Sequence, residues 1–248
     1  MLLKSKIFSA LFLTFLLSGC ATIYNPATQR NETILIDTQS EISLGRDMDL
    51  EIQRRMTILN SPQMQFRLDE ISKKIAAASD RQDVVYSFKI VKDKELNAFS
   101  TPGGYVYVNS GLMDKATDDE LACVLAHEVG HIAAKHSVKK LQAVMGYEII
   151  MNIALGISGQ RSISQATDII FNITSLGYSR QDELLADKLA VRYSKRAGFN
   201  PYGMISFFEK LKEEEKKRGP NLKIHFLSSH PYLGQRIEKV KEEIASNS

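Results

Sequence analysis

Residues His127-Glu128-Val129-Gly130-His131 set two imidazoles four positions apart, with a carboxylate directly after the first. Helical residues turn by about 100° each, so His127 and His131 leave within about 40° of one another and can share one metal ion. Glu128 is turned about 100° from His127 and about 60° from His131, so it flanks the ion and can act on water as a general base. Zinc suits two imidazoles plus a carboxylate, with a fourth position left open. The neighbours Leu121, Val124, Leu125, Val129 and Ile132 are apolar. Burying two histidines and a glutamate among them costs on the order of several kcal/mol unless something compensates.

A third ligand must come from elsewhere. Position 134 is Ala, without the glycine-containing extension that brings a further histidine six residues after the pair. His136 follows at +5 and projects about 140° from His131 on a continuous helix, so it is read as a packing or surface residue. Glu183 and Asp187 are better placed, four apart on a second helical pattern whose other residues, Leu185, Ala186, Leu189 and Ala190, are apolar. Like charges at that spacing repel by a few tenths of a kcal/mol, roughly. A metal on Glu183 and a histidine N–H on Asp187 remove the conflict, since metal-bound histidines typically donate their other N–H to a carboxylate.

The chain resembles the zinc metallopeptidases of peptidase family M48, in the gluzincin group. The matching segments are Asn97-Ala98-Phe99 with Pro102-Gly103-Gly104, then Glu120-Leu121 leading to His127–His131 and His136. They continue with Ser179-Arg180 leading to Glu183 and Ala186-Asp187, and end with His230-Pro231 and Arg236. The likeness runs from about Ser43 to Ile244. It implies a mostly helical α+β, zincin-like domain with a small β-sheet, one Zn²⁺ on His127, His131 and Glu183, and Glu128 as general base. It implies for His230 either a latch on the fourth zinc position or a donor to the oxyanion, a role that Arg236 could share. Ser100-Thr101 departs from the family's usual small or apolar residues, with no chemical consequence expected.

The elements that must position these groups are legible as periods. Leu44, Met48, Ile52 and Met56 make one helical face over 41–59, and Phe66, Leu68, Ile71 and Ile75 mark a helix over 64–78. Residues 84–91 have strand composition. Residues 97–104 read as a turn ending in Pro-Gly-Gly. Tyr105–Val108 reads as a short edge strand that could pair with extended substrate; Asn97, Gly104, Tyr105, Val106 and Tyr107 are the expected substrate contacts. Thr117 or Asp118 caps a helix expected to reach about Lys140, followed by an apolar helix over 141–157 and a polar break over 158–164. Ser179 caps a helix to Arg196, and 201–218 and 231–244 read as two more.

The N-terminus reads as a targeting segment. Lys4 and Lys6 precede an apolar run to Leu17 that is shorter than the ~20 residues of a membrane span. Leu17-Ser18-Gly19-Cys20 resembles the lipobox of bacterial lipoproteins. The expectation is a signal peptide over 1–19, an acylated Cys20, a polar tether over 20–40 and a metallopeptidase domain over 41–248. Several acyl chains suffice for stable anchoring, and Ala21 in place of Asp resembles an outer-membrane address, on its periplasmic face.

The 248 residues carry 32 Lys and Arg against 29 Asp and Glu, with 44% hydrophobic and 25% charged residues. That balance excludes a disordered chain, a collagen and a multi-pass membrane protein. Two cysteines exclude a disulfide scaffold, and Cys123 reads as a buried thiol. No Lys/Arg block points to nucleic acid. The expected partners are unfolded or misassembled envelope proteins and the membrane itself. The rival function is a chaperone-like module that holds zinc and rarely cleaves.

Overall fold

A computed structural model describes residues 22–145, 150, 152, 159–218, 226, 230–231 and 233–246. Cys20 and the signal segment lie outside the described residues, as does most of the helix expected over 141–157. Among the described residues, no helix is long and apolar enough to cross a membrane.

The chain is mostly helical with small sheets, as its periods predict. Strands β1 (Thr22–Asn25) and β2 (Arg30–Thr33) form an antiparallel hairpin. Helices α1 (Thr38–Arg55) and α2 (Pro62–Ala78) follow. Then come β3 (Ser87–Val91), β4 (Ala98–Thr101), a 3₁₀ turn over Pro102–Gly104, and β5 (Tyr105–Asn109). The rest is helical: α3 (Ser110–Lys115), α4 (Asp118–Ala133), α5 (His136–Val144), α6 (Gln160–Leu176), α7 (Arg180–Arg196), α8 (Gly203–Arg218) and α9 (Leu233–Ser246).

The stretch expected to be a tether is therefore folded from Thr22 onward. Asn25 Oδ1 accepts from the Ala27 amide at 3.0 Å and closes the hairpin turn. Ala27, Ile34 and Ile36 are buried, the Lys139 ammonium donates to Glu32 at 2.5 Å, and the Leu35 amide donates to Gln142 at 2.9 Å. Its few apolar residues and its cross-chain partners hold it, which composition alone did not reveal.

The three-stranded sheet has the order β3-β5-β4, with β5 parallel to β3 and antiparallel to β4. Strand β5 is thus central and cannot be the substrate edge. The outer side of β3 is taken by Thr57 and Leu59, whose main chain bonds to Lys92 and Ile90 at 2.8 Å; β4 is the last strand of the sheet among the described residues, and all four of its residues are buried. Residues read as a turn, Ala98–Thr101, form that strand because period-two alternation serves both faces. Ala98 joins the main core with α2, α4 and α7, whereas Phe99 points oppositely and stacks on Tyr107 at 4.8 Å.

Helix α4 starts on a capping box, Thr117 with Glu120. It stops at Ala133, seven residues earlier than its apolar pattern predicts. Lys135 takes a left-handed conformation, φ 55°, and its ammonium reaches buried Glu41 at 2.6 Å. Glu41 also receives a bidentate pair of hydrogen bonds from Arg81 at 2.8 Å and one from the Gly103 amide at 3.2 Å. Arg81 in turn donates to the Ile132 carbonyl at 3.0 Å, satisfying a helix-end acceptor. This buried cluster ties α1, the Pro-Gly-Gly turn and the end of α4 together and offsets the unfavourable φ of Lys135. From Gln160 onward the expected polar break over 158–164 is instead the start of α6, which buries Ile163, Ala166 and Thr167.

Candidate metal centre and active site

Helix α4 crosses α7 at a close approach. A Cβ on Gly130 would stand 3.2 Å from the Ala186 carbonyl and from Leu189 Cβ, so the small residues Gly130 and Ala186 let the two backbones meet. The Ser179–Asp182 capping box sets the start of α7. One turn further, Glu183 and Asp187 face the imidazoles of α4, and all four are buried.

His127, His131, Glu183 and His230 each turn one ligand atom onto a common point, all within 4.8 Å of one another. His127 Nε2 lies 3.0 Å from His131 Nε2, 3.3 Å from His230 Nδ1 and 3.5 Å from Glu183 Oε2. His131 Nε2 and His230 Nδ1 stand 3.5 and 3.1 Å from Glu183 Oε1. Donors around a tetrahedral ion, at bond lengths of about 2.0–2.1 Å, stand about 3.3 Å apart. The donor set therefore fits a divalent cation. The hydrogen bonding agrees: His127 Nδ1–H donates to Asp187 Oδ1 at 2.9 Å, which in the neutral ring leaves the Nε2 lone pair directed toward the other donors. Such convergence of electron-rich atoms in a buried site is costly without a cation among them.

Residues 62–244 match the sequence model of Peptidase family M48. The chain belongs to peptidase family M48. Among its relatives is metalloprotease YcaL of Escherichia coli, 31% identical over 185 residues, covering 73% of this chain and 70% of the relative. Metalloprotease LoiP of the same organism is 29% identical over 184 residues, covering 73% and 71%. The beta-barrel assembly-enhancing protease of E. coli is 22% identical over 220 residues, covering 80% of this chain and 44% of that longer protein. This M48 chain is a metal-dependent protease.

Glu128 sits beside the metal group rather than in it. Its Oε2 accepts a hydrogen bond from the Ser100 hydroxyl at 2.8 Å. Its Oε1 has no hydrogen-bond partner among the described residues, although His230 Nε2 approaches to 3.4 Å. The expectation that Ser100 is chemically silent is thereby corrected. Arg236 also departs from expectation. Its Nε and Nη2 donate to Asp187 at 2.7 and 2.6 Å, while Nη1 lies 2.8 Å from Glu183 and 3.1 Å from the His230 carbonyl. The guanidinium is fully buried and 4.8 Å over the Phe208 ring, so these contacts tie it to the carboxylates of the site. The 3.5 Å approach of Nη2 to His127 Nδ1 joins two donors and is a contact only.

Asn97 is buried just before β4, and Gly104 (φ 100°) follows it at the end of the 3₁₀ turn. Val106 and Tyr107 are fully buried in central β5, with Tyr105 partly so, and these three do not line an edge. Sequence reading set aside His136 and did not consider Tyr178. The break at Lys135 turns His136 back so that its Nδ1 lies 2.9 Å from His131 Nδ1. Tyr178 stacks on His131 with ring centroids 4.1 Å apart, and its hydroxyl bonds to Ser137 at 2.7 Å.

The two imidazoles of α4 are pushed in opposite directions. Burial opposes the charged ring of His127, yet Asp187 and Glu183 push it up to about 9. His131, with no such carboxylate on Nδ1, is carried by burial down to about 3. Burial raises Glu128, as suits a proton acceptor. Burial also works against Glu183 and Asp187, but attraction to the neighbouring His230 ring and to the Arg236 guanidinium holds Glu183 well below the usual range, and Arg236 lowers Asp187.

Proposed function

We propose that this M48 chain is a zinc endopeptidase, anchored at the periplasmic face of the outer membrane by acylated Cys20, that hydrolyses misfolded or unassembled envelope proteins. The observation that carries the hydrolytic reading is the convergence of His127, His131 and Glu183, with a Glu128 oxygen beside them that has no hydrogen-bond partner among the described residues. Two imidazoles and a carboxylate suit zinc among the divalent metals. When bound, zinc supplies Lewis acidity toward water and the scissile carbonyl.

The chain's own residues do the rest. Glu128 Oε1 takes the proton of the attacking water and delivers it to the leaving amine. Asp187 fixes the tautomer and angle of His127, and His136 and Tyr178 hold the ring of His131. Strand β4 ends the sheet among the described residues; its outer side, buried in the structure, would have to be uncovered to pair with an extended peptide, and such main-chain pairing is sequence-tolerant and suits unfolded substrates. His230 would act as a resting latch: its Nδ1, 3.1 Å from Glu183 and 3.3 Å from His127, would fill a fourth ligand position when the ion is bound. The envelope reading rests on Leu17-Ser18-Gly19-Cys20 and on the printed name of the beta-barrel assembly-enhancing protease.

The test is cleavage of unfolded casein by the mature chain. Activity should disappear with chelator and in Glu128→Gln while the fold is kept. Undiminished cleavage by Glu128→Gln would remove the general-base reading. Cys20→Ala should move the protein from the membrane to the soluble periplasmic fraction; an unchanged distribution refutes the anchor.

A further inference from the structure

We infer that Ser100 is a positioning residue that aims the general base. This rests on the hydrolytic reading of Glu128 above. Ser100 and Glu128 are both buried, and the serine hydroxyl donates to Oε2 at 2.8 Å. Among the described residues it is the only hydrogen-bond donor to that carboxylate. The terminal torsion of a glutamate is broad and roughly two-fold, so an unheld carboxylate samples many planes and exchanges its oxygens. Holding Oε2 fixes the plane and leaves Oε1, which has no hydrogen bond, as the oxygen that meets the proton.

The strand register gives the hydroxyl its direction. Ser100 pairs with Val106 across β4 and β5. It shares the pleat face of Ala98, which packs in the core with Leu121, Val124 and Leu125 of α4, whereas Phe99 points away toward Tyr107. A donor at position 100 therefore meets α4, and one at 99 would not.

The test is a double-substitution cycle with steady-state kinetics on a fluorogenic peptide. Ser100→Ala should lower kcat about tenfold, the scale of one hydrogen bond to a charged group, with KM and metal content unchanged. In Glu128→Asp, whose carboxylate is one methylene too short to meet the hydroxyl, Ser100→Ala should change kcat by less than about twofold. An equal loss in both backgrounds would mark a general structural role and overturn the inference, as would wild-type kcat in Ser100→Ala or an effect confined to KM. Any effect on the fold enters both backgrounds alike and cancels in the cycle. Turnover retained by Glu128→Gln would instead defeat the general-base reading on which the inference stands.

Discussion

Arg236 separates a role in holding the site from a role in chemistry. Replacing it by Met keeps much of its length and removes its charge, leaving Asp187 and Glu183 buried without their guanidinium partner. With a divalent ion in place, three carboxylates (Glu128, Glu183 and Asp187) balance the ion and Arg236. The substitution leaves one uncompensated negative charge. Breaking a buried pair on one side costs about 3–5 kcal/mol. At roughly 2–4 °C per kcal/mol for a domain of this size, Tm should fall by about 6–20 °C. Adding Asp187→Asn restores neutrality and keeps an acceptor for His127 Nδ1–H, so Arg236→Met with Asp187→Asn should recover at least half of the loss. The assay is thermal unfolding of the metal-loaded protein by circular dichroism, beside casein cleavage below Tm. A Tm within about 2 °C of wild type, with kcat down by the ~10²–10³-fold of a lost oxyanion donor, would refute this holding role of Arg236.

Glu41→Gln strands Arg81 and Lys135 and should cost about 3 kcal/mol at neutral pH. Although burial raises Glu41, Arg81 and Lys135 hold it below its ordinary 4.5, so its stabilisation is present above that pH and is lost as pH falls through the lower folded value. The wild-type-minus-variant Tm gap should therefore be level from about pH 5 to 7 and close below about pH 4; a gap that widens in acid contradicts the cluster. His136→Ala should weaken metal binding about 10–100-fold in a chelator competition, and unchanged affinity would leave His136 a packing residue. His230→Ala should raise cleavage per bound metal if the ring is a latch, whereas a fall of about 10²–10³-fold marks an oxyanion donor.

The ligands were legible because metal binding imposes spacing within one helix: His127 with His131, and Glu183 with Asp187, each four apart. The caps Thr117 and Ser179 likewise show themselves in local residue types. What escaped depends on partners far along the chain. Lys135 breaks the helix because Glu41, ninety-four residues earlier, receives its ammonium; without that break His136 would point away from His131. Ser100 looked inert because its consequence depends on strand register against α4. The stretch from Thr22 to Ile36 looked like tether because its few apolar residues pack on distant parts of the chain: Ile34 and Ile36 join residues of α1 and α5, and Ala27 joins the main core. Sheet order is a tertiary property, so the short run Tyr105–Val108 could not announce that β5 is central.

The most direct test of the site is metal analysis of the purified mature protein and of Glu183→Ala. The proposed function predicts one zinc per chain in the wild type, retained in Glu128→Gln because that residue stands beside the donor group. Glu183→Ala should lose the metal and with it all chelator-sensitive cleavage. Wild-type protein without stoichiometric metal, or zinc held at full affinity in Glu183→Ala, would contradict the site at its centre.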